Sequence, residues 1–370
     1  MKKVETLKNI RGKYVLLRAD FNVPIKSGKI EDTFRIEKTF PTLKYLVKQG
    51  AKIVIISHAG DDGKQTLKPV ANYLKKFFKI RFSNEVVGNT TLKERGLMEN
   101  GSLLLLENIR REAGEKKNDP KFAKKLASLA TIFINEAFSV CHREHASIVG
   151  VPKILKSYAG IQLQKEIKHL DIVIKKPKHP FLFILGGAKF DTKLPLLKKF
   201  LKSADTILIG GALSNQVFKE LGYETGISLV ENKNFGLKKI IQDDKINIPL
   251  DVIAVSGKNK LIKNPINLSK SDNMLDIGPL TLKLLIKEIK KAKLILWNGP
   301  LGKAPYLEGT IKTLNAVASS RAVSIIGGGD TVEFISESNM EKKFTFVSTG
   351  GGATLEYLSQ GTLLGIKALE

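Results

Sequence analysis

The sequence has a single cysteine, Cys141, and therefore cannot form an internal disulfide bond. This argues against an oxidising compartment. The sequence also lacks any apolar run of the roughly 18 residues that a membrane-spanning helix needs. The first residues, MKKVETLKNIRGKYVLL, carry charges where a secretory signal peptide has its apolar segment. We therefore predict a cytoplasmic protein that makes no membrane contact.

Familiar nucleotide-binding signatures are missing as well. The GxGxxG pattern does not occur, and no Gly-Lys pair is followed by Ser or Thr, as a P-loop requires. These absences argue against Rossmann dehydrogenases and P-loop NTPases. Cys141, His142 and His145 lie close together, but a tetrahedral metal site needs more ligands and no second Cys/His cluster exists.

Acidic residues are few compared with basic ones. The chain has 61 Lys and Arg against 36 Asp and Glu, a net charge of +25 over 370 residues. This raises the alternative of a nucleic-acid-binding protein, with salt-sensitive binding as its signature, but no nucleic-acid motif supports it. Many of the lysines belong to helix faces predicted to be solvated. The length favours two domains.

Short apolar runs recur along the chain, separated by polar segments of helix length. Such runs are typical of parallel strands that are buried on both faces of a sheet. They occupy 14–17, 52–57, 103–106 and 131–134 in the first half, and 181–185, 206–209, 251–255, 294–297, 323–326 and 344–347 in the second. The pattern predicts an α/β fold with two doubly wound, Rossmann-like parallel-sheet domains.

The junction between the two sets of runs is predicted to be a helix. Apolar residues recur at helical spacing between 160 and 174, and the proline-punctuated segment KKPKHP follows. We predict an N-terminal domain over 1–158, an interdomain helix and hinge over 159–175, and a second domain over 176–356.

Ligands of open α/β sheets bind beyond the carboxyl ends of the strands, so the residues after each run are informative. In the first half these residues are polar or cationic. They are Arg18, Asp20, Asn22, His58, Asn108, Arg110, Asn135, Glu136, His142, Arg143 and His145. Because the arginine fork matches carboxylate and phosphate oxygens, this edge is predicted to bind a small polyanion.

In the second half, glycine follows the apolar runs. The turns are Gly186-Gly187, Gly210-Gly211, Asn298-Gly299-Pro300, Gly327-Gly328-Gly329 and Gly350-Gly351-Gly352. Backbone N–H groups and helix N-termini at such turns can approach phosphates, which predicts a nucleotide site. Lys189 and Lys193 would share a helix face there, either to grip phosphates or as solvated lysines. Asp330 could hold Mg²⁺ or only cap a helix.

Taken together, these motifs resemble the phosphoglycerate kinase family along essentially the whole chain. The matching stretches are RADFNVP (18–24), FRIEKTFPTL (34–43), SHAG (57–60), LLLLENIR (103–110), INEAFSVCHREHAS (134–147), GGAKFDTK (186–193), LDIGP (275–279), WNGPLG (297–302), GGGDT (327–331) and STGGGATLE (348–356). Ordered matches of this number are very unlikely by chance.

The resemblance implies an enzyme that moves the acyl phosphate of 1,3-bisphosphoglycerate to MgADP, giving 3-phosphoglycerate and ATP. The in-line transfer would occur in an interdomain cleft that closes, with Mg²⁺ bound together with ADP or ATP. It needs no general base, because the attacking phosphate oxygen or carboxylate is already deprotonated. The family also implies a monomer whose C-terminal tail, 357–370, packs back on the N-terminal domain.

Carried over position by position, the family's roles fall on three groups of residues. The implied phosphoglycerate ligands are Asp20, Phe21, Asn22, Arg35, His58, Ala59, Gly60, Arg110, His142, Arg143 and His145. The implied nucleotide ligands are Lys193, Gly210, Gly211, Gly278, Pro300, Glu308, Gly327, Gly328, Gly329, Asp330 and Thr331, with Asp330 also contacting Mg²⁺. Arg35, Lys189, Gly328 and Gly351 are implied to act in the transfer itself.

The chain departs from the family pattern at several positions. Asp61 and Asp62 replace the Arg and Pro of SHLGRP, which predicts weaker substrate binding, partly compensated by Lys64. Pro305 occupies the counted position of the family's ribose-binding Glu, and Glu308 is close enough to substitute. We interpret the chain as an active enzyme. The alternative is a catalytically weakened homologue with a binding role, which a turnover measurement would distinguish.

The chain departs from the family pattern at two further positions. Glu136 stands where the family usually has Asp, and Arg111 stands where it usually has Phe. We interpret both as local variation.

Overall fold

The computed structural model describes residues 1–370, which divide into two compact units. Unit 1 comprises Met1–Lys168 and Gln360–Glu370, and unit 2 comprises His169–Ser359. The boundary falls inside the helix Ile161–Lys175, within the segment predicted to link the domains. None of the helices combines the length and the apolar character that crossing a membrane requires.

Unit 1 is built on a parallel sheet whose central strands are almost completely buried. Its strands are β1 (Tyr14–Arg18), β2 (Ile25–Lys26), β3 (Lys29–Ile30), β4 (Lys52–Ile56), β5 (Ile80–Phe82), β6 (Leu103–Leu105), β7 (Ile132–Asn135) and β8 (Lys156–Ala159). The six-stranded sheet has the order β5-β6-β4-β1-β7-β8, and β2 and β3 form a separate hairpin. Burial on both faces explains why these strands read as continuous apolar runs.

The helices of unit 1 cover this sheet. They are α1 (Phe34–Lys38), α2 (Phe40–Lys48), α3 (Lys68–Leu74), α4 (Asn89–Gly96), α5 (Ala113–Lys116) and α6 (Pro120–Ala127). In the register of the sheet, Arg18 lies level with Ile56 of β4 and with Asn135 of β7. The polar residues that follow these strands therefore meet at one edge of the sheet.

Unit 2 has its own six-stranded parallel sheet. The remaining strands are β9 (Phe181–Leu185), β10 (Thr206–Ile209), β11 (Ile246–Asn247), β12 (Val252–Ser256), β13 (Asn259–Lys263), β14 (Asn273–Ile277), β15 (Leu294–Asn298), β16 (Val323–Gly327) and β17 (Phe346–Val347). The parallel sheet has the order β11-β10-β9-β15-β16-β17. Each predicted glycine turn follows one of its strands β10, β9, β15, β16 and β17. The α/β prediction with two Rossmann-like sheets is confirmed.

Helices connect the strands of unit 2 and complete the C-terminus. They are α7 (Ile161–Lys175), which crosses the unit boundary, α8 (Phe190–Phe200), α9 (Ala212–Leu221), α10 (Leu237–Ile240), α11 (Pro279–Lys291), α12 (Glu308–Ala318), α13 (Gly329–Glu337), α14 (Gly352–Gln360) and α15 (Leu364–Lys367).

One apolar run does not belong to a parallel sheet as predicted. The run at 251–255 forms β12, the central strand of an antiparallel sheet of order β13-β12-β14. Only Gly257 and Lys258 separate β12 from β13, which is enough for a hairpin and far too short for a parallel crossover. The run at 344–347 is also shorter than predicted, because only Phe346 and Val347 pair with β16.

The C-terminal residues pack on unit 1. The Gly365 N–H donates to the Cys141 carbonyl at 2.7 Å, and Leu363, Ile366 and Leu369 are buried. A Cβ added to Gly365 would lie 2.6 Å from Ile148 Cγ2, so this position has room only for glycine.

Candidate active site

Arg18, at the carboxyl end of β1, is fully buried and links the loops that follow β1, β4 and β7. Its Nη1 donates to the Ala19 carbonyl at 2.6 Å, its Nη2 lies 3.2 Å from His58 Nδ1, and its Nε donates to Ser147 Oγ at 2.9 Å. Burial lowers the pKa of Arg18, while Glu115, which accepts from Ser147, raises it. Arg18 therefore holds the loops of this site in place.

Asp20 and Arg35 form an ion pair at the same edge of the sheet. Arg35 Nη1 lies 3.4 Å from Asp20 Oδ2, and the Ser139 hydroxyl donates to that oxygen at 2.7 Å. The Arg35 side chain remains 29% exposed, against 8% for Asp20. Because a guanidinium has five N–H donors, Arg35 can hold this carboxylate and also present donors to a bound anion.

The loop after β4 is fixed by polar groups from two neighbouring segments, those that follow β1 and β6. The Gly60 N–H donates to Asn22 Oδ1 at 2.9 Å, and Asn108 Nδ2 donates to the Ala59 carbonyl at 2.6 Å. Arg110 Nη1 donates to the Gly60 carbonyl at 2.7 Å. The predicted ligands of the SHAG segment are thus brought together with Asn22 and Arg110.

Three histidines of the site have strongly lowered pKa values. Burial lowers the pKa of His58 well below its usual value, with Arg18 adding to the effect. Burial, together with nearby arginines, lowers the pKa values of His142 and His145 to about 4. The Nδ1 atoms of His142 and His145 are buried without a hydrogen-bond partner. These rings are therefore neutral at pH 7 and can offer hydrogen bonds without adding charge.

The two other predicted ligands of this site differ in exposure. Phe21 is completely buried in the core of unit 1, and only its N–H, which donates to Ser57 Oγ at 2.9 Å, points toward the loop after β4. Arg143 is exposed and lies near His142 and His145, whose pKa values it lowers.

Asp61 places a carboxylate next to Arg110 in this basic site. Its Oδ1 lies 2.6 Å from Arg110 Nη1, and the Lys116 ammonium donates to its carbonyl oxygen. Lys64, predicted to compensate for the missing arginine, lies 3.8 Å from Asp62 Oδ2 and is largely exposed. The cation that reaches the loop is Lys116, which sequence spacing did not single out.

Glu136 stands where the resembling family usually has Asp. Its side chain is buried against the first turn of α7. It accepts hydrogen bonds from Thr42 Oγ1 at 2.5 Å and from the Gln162 N–H at 3.1 Å. Burial raises the pKa of Glu136 to about 7, although these hydrogen bonds lower it. At Arg111, where the family usually has Phe, the Nη1 atom lies 3.2 Å from Glu107 Oε2.

The glycine turns of unit 2 meet at the carboxyl edge of its parallel sheet. Asn298 of β15 lies level with Leu185 of β9 and with Gly327 of β16. Gly211 has a φ of +61°, and a Cβ there would lie 2.7 Å from the Gly187 nitrogen. These backbones approach so closely that only glycine fits.

Lys193 lies buried among these turns. Its ammonium donates to the Gly186 carbonyl, and a Cβ on either Gly187 or Gly299 would lie 2.5 Å from its Nζ. Burial, opposed by Asp330 and reinforced by Lys189, lowers the pKa of Lys193 to about 8. The predicted pair of lysines and Asp330 therefore form one electrostatic cluster, although Lys189 is exposed.

Gly328 has a φ of +99° and begins α13, whose first turn carries Asp330. A Cβ on Gly328 would lie 2.9 Å from the Gly299 nitrogen. Thr331 is completely buried, and its hydroxyl has no hydrogen-bond partner. Gly351, with a φ of +52°, precedes α14 in the same way. The turns at Gly328 and Gly299 therefore lie close together, at the start of the helix that carries Asp330.

A cavity of about 630 Å³ opens beside this cluster. Gly187, Gly211, Pro300 and Asp330 form its polar end. Its apolar wall contains Ile227, Leu229, Val252, Met274, Leu275, Leu307 and Phe334. The volume and the division into an apolar and a polar end suit a flat base with attached phosphates.

Of the predicted nucleotide residues, only Gly211, Pro300 and Asp330 line this cavity. Gly278 and Glu308 are among those that lie outside its lining. A Cβ on Gly278 would lie 2.2 Å from Asp251 Cγ. Glu308 lies 2.7 Å from Lys312 and borders a separate cavity of about 320 Å³. The remaining predicted glycine, Gly210, packs against Leu301 at the sheet edge.

Asp276 also lies at the cavity, although sequence reasoning did not identify it. It accepts from the N–H groups of Gly309 at 2.7 Å and Ile277 at 2.9 Å, and burial raises its pKa to about 6. Its only sequence signal is its position in the LDIGP motif. Arg18 and Ser147 belong to motifs too, but nothing in the sequence indicates that their side chains meet.

The fold is α/β with two parallel sheets, and polar or glycine-rich segments meet at the carboxyl edges of those sheets. The family model that matches residues 4–361 describes phosphoglycerate kinase. A phosphoglycerate kinase of Dictyoglomus turgidum is 40% identical over 98% of this chain and 96% of its own length. The solved structure of phosphoglycerate kinase from Coxiella burnetii is 34% identical with a TM-score of 0.84, covering 99% of this chain and 98% of its own. That from Pyrococcus horikoshii is 27% identical with a TM-score of 0.88, covering 100% and 98%.

The chain therefore belongs to the phosphoglycerate kinase family. Members of this family are enzymes that transfer a phosphoryl group to or from a carboxyl group, and the kinase prediction is confirmed at that level.

Proposed function

We propose that the chain catalyses reversible transfer of the acyl phosphate of 1,3-bisphosphoglycerate to MgADP, giving 3-phosphoglycerate and ATP. The observation that carries the proposal is the cluster of Lys189, Lys193 and Asp330 beside the glycine turns and the 630 Å³ cavity. Cations and helix N-termini at one end of such a cavity suit a nucleotide's phosphates. The basic edge of unit 1 suits the smaller polyanion.

In unit 1, Arg35 and Arg110 supply charge to the carboxylate or phosphate of phosphoglycerate. His58, His142 and His145 are neutral at pH 7, so they contribute directional hydrogen bonds. Such charge-assisted and neutral contacts stabilise a bound anion by roughly 1 to 3 kcal/mol each. Arg18 is a positioning residue, because it is buried and bonds to the loops that carry the others.

During transfer, negative charge spreads over the oxygens of the moving phosphoryl group. Arg35, Lys189 and the N–H groups of Gly328 and Gly351 would stabilise this charge, which is how enzymes accelerate such reactions. Transfer also requires that the reacting oxygens be aligned and that water be excluded, for which the sequence predicts closure of an interdomain cleft.

Mg²⁺ is expected to arrive with the nucleotide. No group of three or more His, Cys, Asp or Glu side chains could hold a metal ion by itself. A single carboxylate, Asp330, fits Mg²⁺, which commonly binds through one or two carboxylates together with substrate phosphates and water. When bound, the ion neutralises part of the charge on the phosphates. A monomeric state and a cytoplasmic location remain predictions from the sequence.

The test is ATP formation from 1,3-bisphosphoglycerate and MgADP by the purified chain. The proposal expects turnover that requires both substrates. Binding of MgADP and 3-phosphoglycerate with no turnover would instead favour the second candidate, a homologue with a binding role. The Asp61–Arg110 ion pair is the observation that favours this second candidate, because it occupies an arginine of the substrate site.

A further inference from the structure

The Arg110 side chain is nearly buried, and its only carboxylate partner, Asp61, is exposed to solvent. The Arg110 side chain is 7% exposed, whereas that of Asp61 is 97% exposed. Arg110 Nη1 donates to Asp61 Oδ1 at 2.6 Å, and its buried Nε has no hydrogen-bond partner. The Arg110 guanidinium therefore has an unused N–H donor, and the Asp61 carboxylate that it binds remains exposed to water.

The loop geometry brings Asp61 back over Arg110. Gly60 and Gly63 on either side have φ values of +64° and +79°, and a Cβ on Gly63 would lie 2.5 Å from the Arg110 carbonyl oxygen. The Lys116 ammonium donates to the Asp61 carbonyl and holds the backbone from the other side. The position of the carboxylate is thus set by the loop.

A pair of this kind is easily exchanged for another anion. The Asp61 side chain remains almost fully exposed. Its carboxylate therefore loses little hydration when it pairs with Arg110 and regains little when it is released from Arg110. Arg35, Arg110 and His145 all lie close enough to His58 to lower its pKa, so an oxyanion bound there can make more contacts than Asp61 can.

We propose that Asp61 is a built-in, displaceable anion that occupies Arg110 in the free enzyme and competes with the carboxylate or phosphate of phosphoglycerate. The inference rests on the proposed function of this site. It makes Asp61 a specificity-determining residue that weakens binding of acidic substrates, whereas nucleotide binding in unit 2 does not depend on it.

The test compares Asp61→Asn with Asp62→Asn, which removes the same charge from the next residue. Asp62 pairs with Lys64 at 3.8 Å and does not contact Arg110. We expect Asp61→Asn to lower the KM for 3-phosphoglycerate about three- to tenfold, with the change in KM rather than in kcat. The KM for MgATP should be the same in both variants. An Asp61→Asn enzyme whose KM for 3-phosphoglycerate matches that of Asp62→Asn, or exceeds it, overturns the inference.

Calorimetric binding of 3-phosphoglycerate to the full chain separates this inference from the proposed function. If no variant turns over but Asp61→Asn binds 3-phosphoglycerate more tightly than Asp62→Asn, the proposed function fails and the inference stands. If the chain is active and Asp61→Asn does not bind more tightly, the inference alone fails. If there is neither turnover nor binding, both fail.

Discussion

The proposed anion sites of unit 1 and unit 2 lie at the same edge of similar parallel sheets but are built from different chemical groups. Unit 1 uses side chains, among them Arg35, Arg110 and the histidines. Unit 2 uses closely packed glycine turns, with Lys193 filling the space that side chains at Gly187 and Gly299 would occupy. Arginine forks suit a small anion with distinct oxygens. Backbone N–H groups at helix N-termini suit a chain of phosphates.

Because the two sites are built differently, different substitutions should impair them. Unit 1 should be sensitive to the loss of a single charge. Unit 2 should be sensitive to the addition of a single carbon, because its backbones meet at distances that leave no room for a Cβ. Variants in each unit can test this difference.

The largest effect is expected from Gly211→Ala. The new Cβ would lie 2.7 Å from the Gly187 nitrogen and 2.8 Å from the Pro300 oxygen, so the turns must separate. We expect calorimetry to show MgADP affinity at least about a hundredfold weaker, a cost of roughly 3 kcal/mol. Binding of 3-phosphoglycerate, measured on the same sample, should be retained.

Gly222→Ala is the matched control for this variant. Gly222 also has a positive φ, +88°, but nothing lies within 4 Å of its added Cβ. It should lower the free energy of unfolding by only about 1 to 2 kcal/mol and leave MgADP affinity unchanged. Equal loss of MgADP binding in both variants would mean that backbone strain, and not the close approach of the turns, explains the effect.

A smaller effect is expected from Arg110→Met, which removes a nearly buried guanidinium from unit 1. The KM for 3-phosphoglycerate should rise about ten- to a hundredfold, since one charge-assisted contact is lost. MgATP kinetics should hardly change. Arg111→Met removes the same charge one residue away, from a side chain that is 41% exposed, and should change neither KM by more than about twofold.

The smallest effect is a difference in pH dependence between the two substrates. The pKa of Lys193 is lowered to about 8, so the ammonium is present below that pH and is lost as the pH rises through it. The KM for MgADP should therefore rise by up to about tenfold between pH 7 and 9. The pKa values of His142 and His145 are about 4, so these rings do not titrate in that range. A KM for 3-phosphoglycerate that changes equally would contradict this assignment.

The sequence allowed the sheet edges to be predicted, because strand ends of parallel sheets collect at one side and the residues after each apolar run can be read directly. Arg110, His58 and the glycine turns were found this way. The antiparallel pairing of 251–255 was not predicted, because an apolar run alone does not indicate which strand it pairs with. The short Gly257-Lys258 connection contained that information.

Contacts between distant segments could not be predicted. Arg18 meets Ser147 across 129 residues, and Arg110 meets Asp61 across 49. The burial of Lys193 depends on glycines in two separate turns, and the apolar wall of the cavity comes from several loops. Side-chain direction and loop geometry decide each of these contacts, and neither follows from spacing along one segment.

The proposed function places phosphoryl transfer at the turn that carries Lys189. The most direct test is the rate of ATP formation from 1,3-bisphosphoglycerate and MgADP in Lys189→Ala and in Lys198→Ala, which removes an exposed lysine further along α8. We expect Lys189→Ala to lower kcat by about a hundredfold or more with MgADP still bound, and Lys198→Ala to stay within about twofold of the parent. Equal kcat values in the two variants would contradict the claim.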